Sequence, residues 1–205
     1  MPDALTTSPP ATPPHERLVL PWTRATFAGW ALGFLLMLLI IAVSGAVGLG
    51  DTQSPVGLGM GLGVGALQGR LIAARGIPRG AWLRATALGV VMPFLVYDVV
   101  NLVAADVGFR LPALVVLGGL TAGALQYRLV RHHPGAAWWI PASTAGWTMA
   151  GATVVFNDRY LPRIPGIAGA LLFVAVILVG GVALGLVGGL AIDRILGRAE
   201  SDAPA

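Results

Sequence analysis

Past its first 21 residues the chain alternates long apolar runs with short polar breaks. The runs cover about 25–48, 55–74, 81–104, 111–130, 137–156 and 167–196. Most are about 20–24 residues, which at 1.5 Å per residue crosses a hydrocarbon core of about 30 Å. The pattern therefore predicts six transmembrane helices. The last run is longer: either one tilted span, or a span preceded by a helix lying on the membrane. Residues 1–21 are polar and rich in proline (Pro2, Pro9, Pro10, Pro13, Pro14, Pro21) and read as a disordered tail. The layout is then a tail at 1–21, a six-span domain at 22–197 and a short tail at 198–205. Arg24, the apolar run behind it and Ser44-Gly45-Ala46 also imitate a cleaved signal peptide. The long tail ahead of the run, and the return of its pattern later in the chain, favour a retained helix.

That returning pattern defines an internal repeat. Trp22-Thr-Arg-Ala-Thr26-Phe-Ala-Gly29, Trp82-Leu-Arg-Ala-Thr86-Ala-Leu-Gly89 and Trp139-Ile-Pro-Ala-Ser143-Thr-Ala-Gly146 open the odd helices. The even helices share Gly61-Leu-Gly-Val-Gly65-Ala-Leu-Gln68-Gly-Arg70 and Gly119-Leu-Thr-Ala-Gly123-Ala-Leu-Gln126-Tyr-Arg128. A worn copy, Gly185-Leu-Val-Gly-Gly189-Leu-Ala-Ile192-Asp-Arg194, closes the sixth. The expected fold is an all-α transmembrane bundle of six helices built from three tandem two-helix repeats.

Within each repeat the spacing has a physical reading. Gly, Gly and Gln at i, i+4 and i+7 share one helix face, and small residues four apart let two backbones approach closely. Gly61, Gly65, Gln68, Gly119, Gly123, Gln126, Gly185 and Gly189 are therefore expected to pack helices together. An amide in hydrocarbon is costly unless bonded. Gln68 and Gln126 lie at the depth of Thr26, Thr86 and Ser143, so amide and hydroxyl are expected to pair between helices. In the third copy Ile192 stands where the amide is expected. Arg70, Arg128 and Arg194 fall off the glycine face and should snorkel to headgroups.

Composition narrows the class. Apolar residues make up 56% of the chain and charged ones 11%, with 29 glycines and no cysteine. A soluble domain is about one-quarter charged. Without cysteine there is no thiol nucleophile, disulfide or thiolate metal site. All 13 basic residues are arginines, scattered rather than clustered, so no nucleic-acid partner is indicated. With both termini inside, Arg17, Arg24, Arg70, Arg75, Arg79, Arg84, Arg128, Arg131, Arg194 and Arg198 fall on the inner side. Arg110, Arg159 and Arg163 fall outside. The bias makes both termini cytoplasmic in a multi-pass protein of the cell inner membrane.

Candidates for chemistry are few. Pro93 removes a backbone donor and should kink the third helix near mid-membrane. Beyond it Tyr97, Asp98 and Asn101 could hold a solute or ion, since intramembrane carboxylates are functional candidates. Asp98 also lies about 25 Å along the helix from Ala81, far enough to be a headgroup residue. Asp51, Asp106, Asn157, Asp158, Arg159 and Arg163 read as outer loop ends, His132 and His133 as an inner loop, and Asp193 as a charged helix end. No span carries a histidine, and Ala42-Val43-Ser44-Gly45 lacks the first glycine and the base of an intramembrane serine protease. No phosphate loop or dinucleotide fingerprint follows a strand. No catalytic residue, cofactor or metal site is assigned.

Gly-Ala-Leu-Gln-x-Arg-Leu followed by a Trp-led helix resembles a loose group of bacterial multi-pass membrane proteins with tandem two-helix repeats. The resemblance covers about 22–196; it implies the repeated architecture and supplies no site. Two functions remain open. One is a non-enzymatic packing or assembly subunit, in contact with the lipid bilayer and with a homo-oligomer or membrane-protein partner. The other is a small-solute transporter or substrate-binding subunit using the kinked third helix.

Overall fold

A computed structural model describes residues 17–104, 108 and 110–201. Among these the chain is all-helical, with α1 Val19–Ala46, α2 Ser54–Ala73, α3 Arg79–Val103, α4 Leu111–Val130, α5 Trp139–Tyr160 and α6 Gly166–Ser201. Short 3-10 turns at Ala136–Trp138 and Leu161–Arg163 flank α5. Five helices (α1, α2, α3, α4 and α6) are long and apolar enough to cross a membrane. α5 has comparable length, with 22 residues. Ser143, Thr144, Thr148, Thr153, Asn157, Asp158 and Arg159 lower its hydropathy.

The expected boundaries move at several ends. α1 starts at Val19, inside the stretch read as tail, with Pro21 in its first turn, where a missing N–H costs nothing. Residues 1–16 of that tail lie outside the described residues. α6 is one continuous helix of 36 residues, about 54 Å long, so no separate interfacial helix precedes it. It also continues through Ser201, into the expected C-terminal tail. Between α2 and α3, Gly76 at φ 79° makes the reversal that a residue with a Cβ would resist.

Each helix packs on its neighbours in the chain, and α6 returns to α1, closing a ring. Such uniformly apolar helices have no polar face to aim outward, so side-chain size decides which face turns inward. On α2, Gly59 and Gly63 face α1, where a Cβ on Gly63 would lie 2.3 Å from the Gly33 nitrogen. Gly57, Gly61, Gly65 and Gly69 face α3 instead, against Val91 and Phe94, Ala87, Thr86 and Arg79. Glycine at alternate positions thus gives α2 two tight faces.

Two buried clusters fill the ring. One lies at the end of the bundle where α1 starts and α6 ends, the inner end in the expected orientation, and centres on Trp22, Trp82 and Trp139, with Ile72, Val130 and Ile192 around them. The three indoles touch pairwise, with centroids 5.7, 5.8 and 5.4 Å apart. The outer cluster includes Trp30, Met60, Val90, Phe94, Val115, Trp147 and Ile177. α3 runs through Pro93 without interruption. The proline leaves the Gly89 carbonyl without its helical donor, and the Thr121 hydroxyl of α4 donates to it.

Candidate functional site

The buried polar groups of the inner half form short chains across the helix seams. Gln68 Nε2 donates to Thr26 Oγ1 at 2.9 Å, and Gln68 Oε1 accepts from Trp82 Nε1 at 3.2 Å. Gln126 repeats the arrangement, donating to Thr86 Oγ1 at 2.8 Å and accepting from Trp139 Nε1 at 3.0 Å. Each amide thus ties the helix before it to the helix after it. Ser143 lacks such an amide and donates to the Gly119 carbonyl at 2.9 Å.

The third indole is different. Trp22 is buried, and its Nε1 has no hydrogen-bond partner among the described residues. A Cβ on Gly188 would lie 2.9 Å from that nitrogen. Gly188, one turn before Ile192, therefore faces Trp22 as Gln68 faces Trp82 and Gln126 faces Trp139. Other contacts keep this register. Gly29 lies against Val64, Gly89 against Ala122 and Gly146 against Leu184. Ile192 falls instead in the layer of Ile72 and Val130, all three buried. The expected alignment of the last helix is therefore off by one turn. Its paired glycines, Gly180-Gly181 and Gly188-Gly189, fit either register by sequence.

The remaining glycine positions lie at seams. Gly119 and Gly123 face Trp147 and Ser143 of α5, while Gly185 and Gly189 face Thr23 and Val19 of α1.

Of the trio on α3, Asp98 is engaged by backbone groups of another helix. Both carboxylate oxygens of Asp98 are engaged by the start of α2. Gln53 N donates to Oδ1 at 2.7 Å and Ser54 N to Oδ2 at 2.8 Å. α2 has no side-chain cap of its own, so Asp98 supplies one from α3, where a negative charge suits the helix dipole. Asp193 caps α1 similarly, accepting from Leu18 N at 2.5 Å. Tyr97 is half-buried and Asn101 exposed. Asn157, read as a loop end, is buried on α5 and donates to the Phe173 carbonyl at 3.2 Å, while its Oδ1 has no partner among the described residues. Asp51, Asp158, Arg159 and Arg163 are exposed; Asp106 lies outside the described residues.

A partly enclosed space lies outward of these networks. A cavity of about 240 Å³ takes wall residues from all six helices, and the surface they turn to it is apolar. Trp30, Val90 and Trp147 stand at one position of the three odd helices, eight residues past Trp22, Trp82 and Trp139. Valine at the middle one leaves volume that a larger side chain would fill. Trp30 is held by a bond from its Nε1 to the Ile177 carbonyl at 2.8 Å, which turns its polar edge away from the space. A void of this kind excludes water, which needs two or more polar partners, and accepts apolar guests; about 150 Å³ suffices for benzene.

No protein-family model matches the chain, and neither a curated protein nor a solved structure does.

Proposed function

We propose that this chain is a non-enzymatic integral membrane protein that binds an apolar small molecule in the cavity of its outer half. The observation that carries the reading is that cavity: six helices line it and no polar group faces it. A hydrophobic enclosure without hydrogen-bonding groups suits a ligand recognised by shape and apolar area. It offers nothing to a polar solute, whose desolvation would go uncompensated.

The scaffold we propose is three tandem helix pairs around a pseudo-threefold axis. Six spans cross the cell inner membrane, and both termini are cytoplasmic. The matched contacts Gly29–Val64, Gly89–Ala122 and Gly146–Leu184 support the threefold relation. The placement of α5 between α4 and α6 supports a sixth span. Arginine asymmetry supports the orientation. Solute binding ranks ahead of assembly because the glycine faces that would serve a partner are occupied by the chain's own helices. The resemblance to bacterial repeat proteins stays a proposal on the same footing.

The test is native mass spectrometry of protein carried into nanodiscs from its own membrane. One apolar molecule per chain, lost in Val115→Phe, is the expected result. A fixed protein partner or homo-oligomer with no bound molecule would return the reading to assembly.

A further inference from the structure

The cavity has a mouth, and its position says what enters. Of the wall residues only Ile41 of α1 and Phe173 of α6 are exposed, each 39%. They lie five residues before the end of α1 and seven after the start of α6, about 8 and 10 Å inside the helix ends. The wall runs on to Val56 and Leu111 at the starts of α2 and α4, but its two exposed members face out between α1 and α6, which puts an opening in the flank of the bundle at hydrocarbon depth. Leu35, Leu38 and Leu39 on one side of it and Leu171 on the other are exposed apolar residues of the lipid-facing surface.

The seam at the mouth is crossed by Leu18 N to Asp193 and by Trp30 Nε1 to the Ile177 carbonyl, but it lacks the tryptophan–glutamine bond of two other seams. Between α2 and α3, and between α4 and α5, a glutamine accepts from a tryptophan. Between α6 and α1 the corresponding indole, Trp22, has no acceptor among the described residues. The glycine contacts across this seam run outward from Gly189–Val19 and end at Gly181–Trp30. Beyond them the two helices flank the mouth.

Taking the cavity as the ligand site proposed above, we infer that its occupant is the hydrocarbon chain of a bilayer lipid, entering sideways between α1 and α6. A membrane chain is present at high concentration at such an opening and matches the wall chemically. A headgroup has no polar partner inside, so it stays at the surface while the chain end occupies the cavity.

The test uses two photoreactive probes on the full-length protein in nanodiscs, with labelled residues read by mass spectrometry. One is a phospholipid carrying a diazirine at the end of one acyl chain. The other is a small aryl diazirine. The expected result is lipid label on the buried wall residues Met60 and Val90, which a chain lying against the outside cannot reach, as well as on exposed Leu39. Val90→Phe and, independently, Val115→Phe should reduce wall labelling at Met60 at least tenfold and leave Leu39 unchanged. Wall label from the aryl probe with lipid label confined to Leu39 and Leu171 would overturn the lipid inference and leave the apolar site standing. Absence of wall label from both probes would overturn both. Wall labelling that persists in both variants, each eluting as a folded monodisperse species, would show that the label did not come from the cavity and would also sink the inference.

Discussion

Replacing each tryptophan of the inner cluster by phenylalanine is one chemical change made in three hydrogen-bonding states. Trp22, Trp82 and Trp139 are all buried, and each change removes the same ring volume, so the steric penalty is shared to first order. Trp82→Phe and Trp139→Phe also remove a donor from Gln68 or Gln126. A side-chain hydrogen bond inside a membrane protein averages about 0.6 kcal/mol and reaches about 1.7. The amide oxygen left buried without that donor adds about 1–3 kcal/mol. The polar cost is therefore about 2–5 kcal/mol for either variant. Trp22→Phe breaks no bond and removes an N–H that already carries a desolvation penalty of about 1–3 kcal/mol. It should be the mildest of the three, by at least about 2 kcal/mol. The assay is unfolding by added SDS in mixed micelles, followed by far-ultraviolet circular dichroism so that the lost indole does not disturb the signal. Three midpoints that agree to within about 0.5 kcal/mol, the usual scatter of additivity, would show that the amides contribute little. A Trp22 variant worse than the others would refute the reasoning outright.

Other seams give shorter tests, read by the same unfolding assay. Thr121→Val should cost about 1–3 kcal/mol by leaving the Gly89 carbonyl without a donor, and Pro93→Ala in the same chain should recover most of that by restoring the helical N–H. Equal losses with and without the proline would refute this account. Gly63→Ala should prevent stable folding, since its Cβ would lie 2.4 Å from the Gly29 oxygen, whereas Gly45→Ala, with nothing within 4 Å, should be neutral or stabilising by up to about 1 kcal/mol. Asp98→Asn should lower stability by about 1 kcal/mol through a weaker cap on α2, with the native mass spectrum of the bound molecule unchanged. Loss of that molecule would restore Asp98 to the binding site.

The elements and much of the inner network are legible in the sequence, while the cavity is not. Apolar runs bounded by glycine, proline and arginine locate the helices because the bilayer fixes their length. The glutamine–hydroxyl pairing is readable because an amide in hydrocarbon must find a partner, and Thr26 and Thr86 lie at the right depth. That the same amides also receive the indole N–H groups is readable only once Trp82 and Trp139 are known to turn inward rather than toward headgroups. One register of glycines on α2 is apparent; the second, Gly59 and Gly63, needs the facing Gly29 and Gly33 of α1 to give it meaning. The role of Asp98 depends on the start of α2 lying beside the end of α3, a contact 45 residues apart. The cavity is harder still. It is a shortage of volume among side chains from six helices, created partly by Val90 where two siblings have tryptophan, and no single stretch of chain records it.

The closed ring also constrains how the protein is made. Leu18, just before α1, takes its cap from Asp193 on the last helix, 175 residues later. During synthesis, at about 5–20 residues per second, the first helix waits tens of seconds beside an absent neighbour. Throughout that time the face carrying Trp22 and Trp30 is turned toward lipid or the insertion machinery. Every seam but one forms between consecutive helices as they emerge; the last joins the two extremes of the chain. A ribosome halted in the loop before α6 would thus leave an open five-helix arc, its outer cavity missing a wall. Conversely, because residues 18 and 193 meet, a short linker from the end of α6 to Leu18 and new termini at Gly76 should give a circularly permuted chain that closes into the same ring.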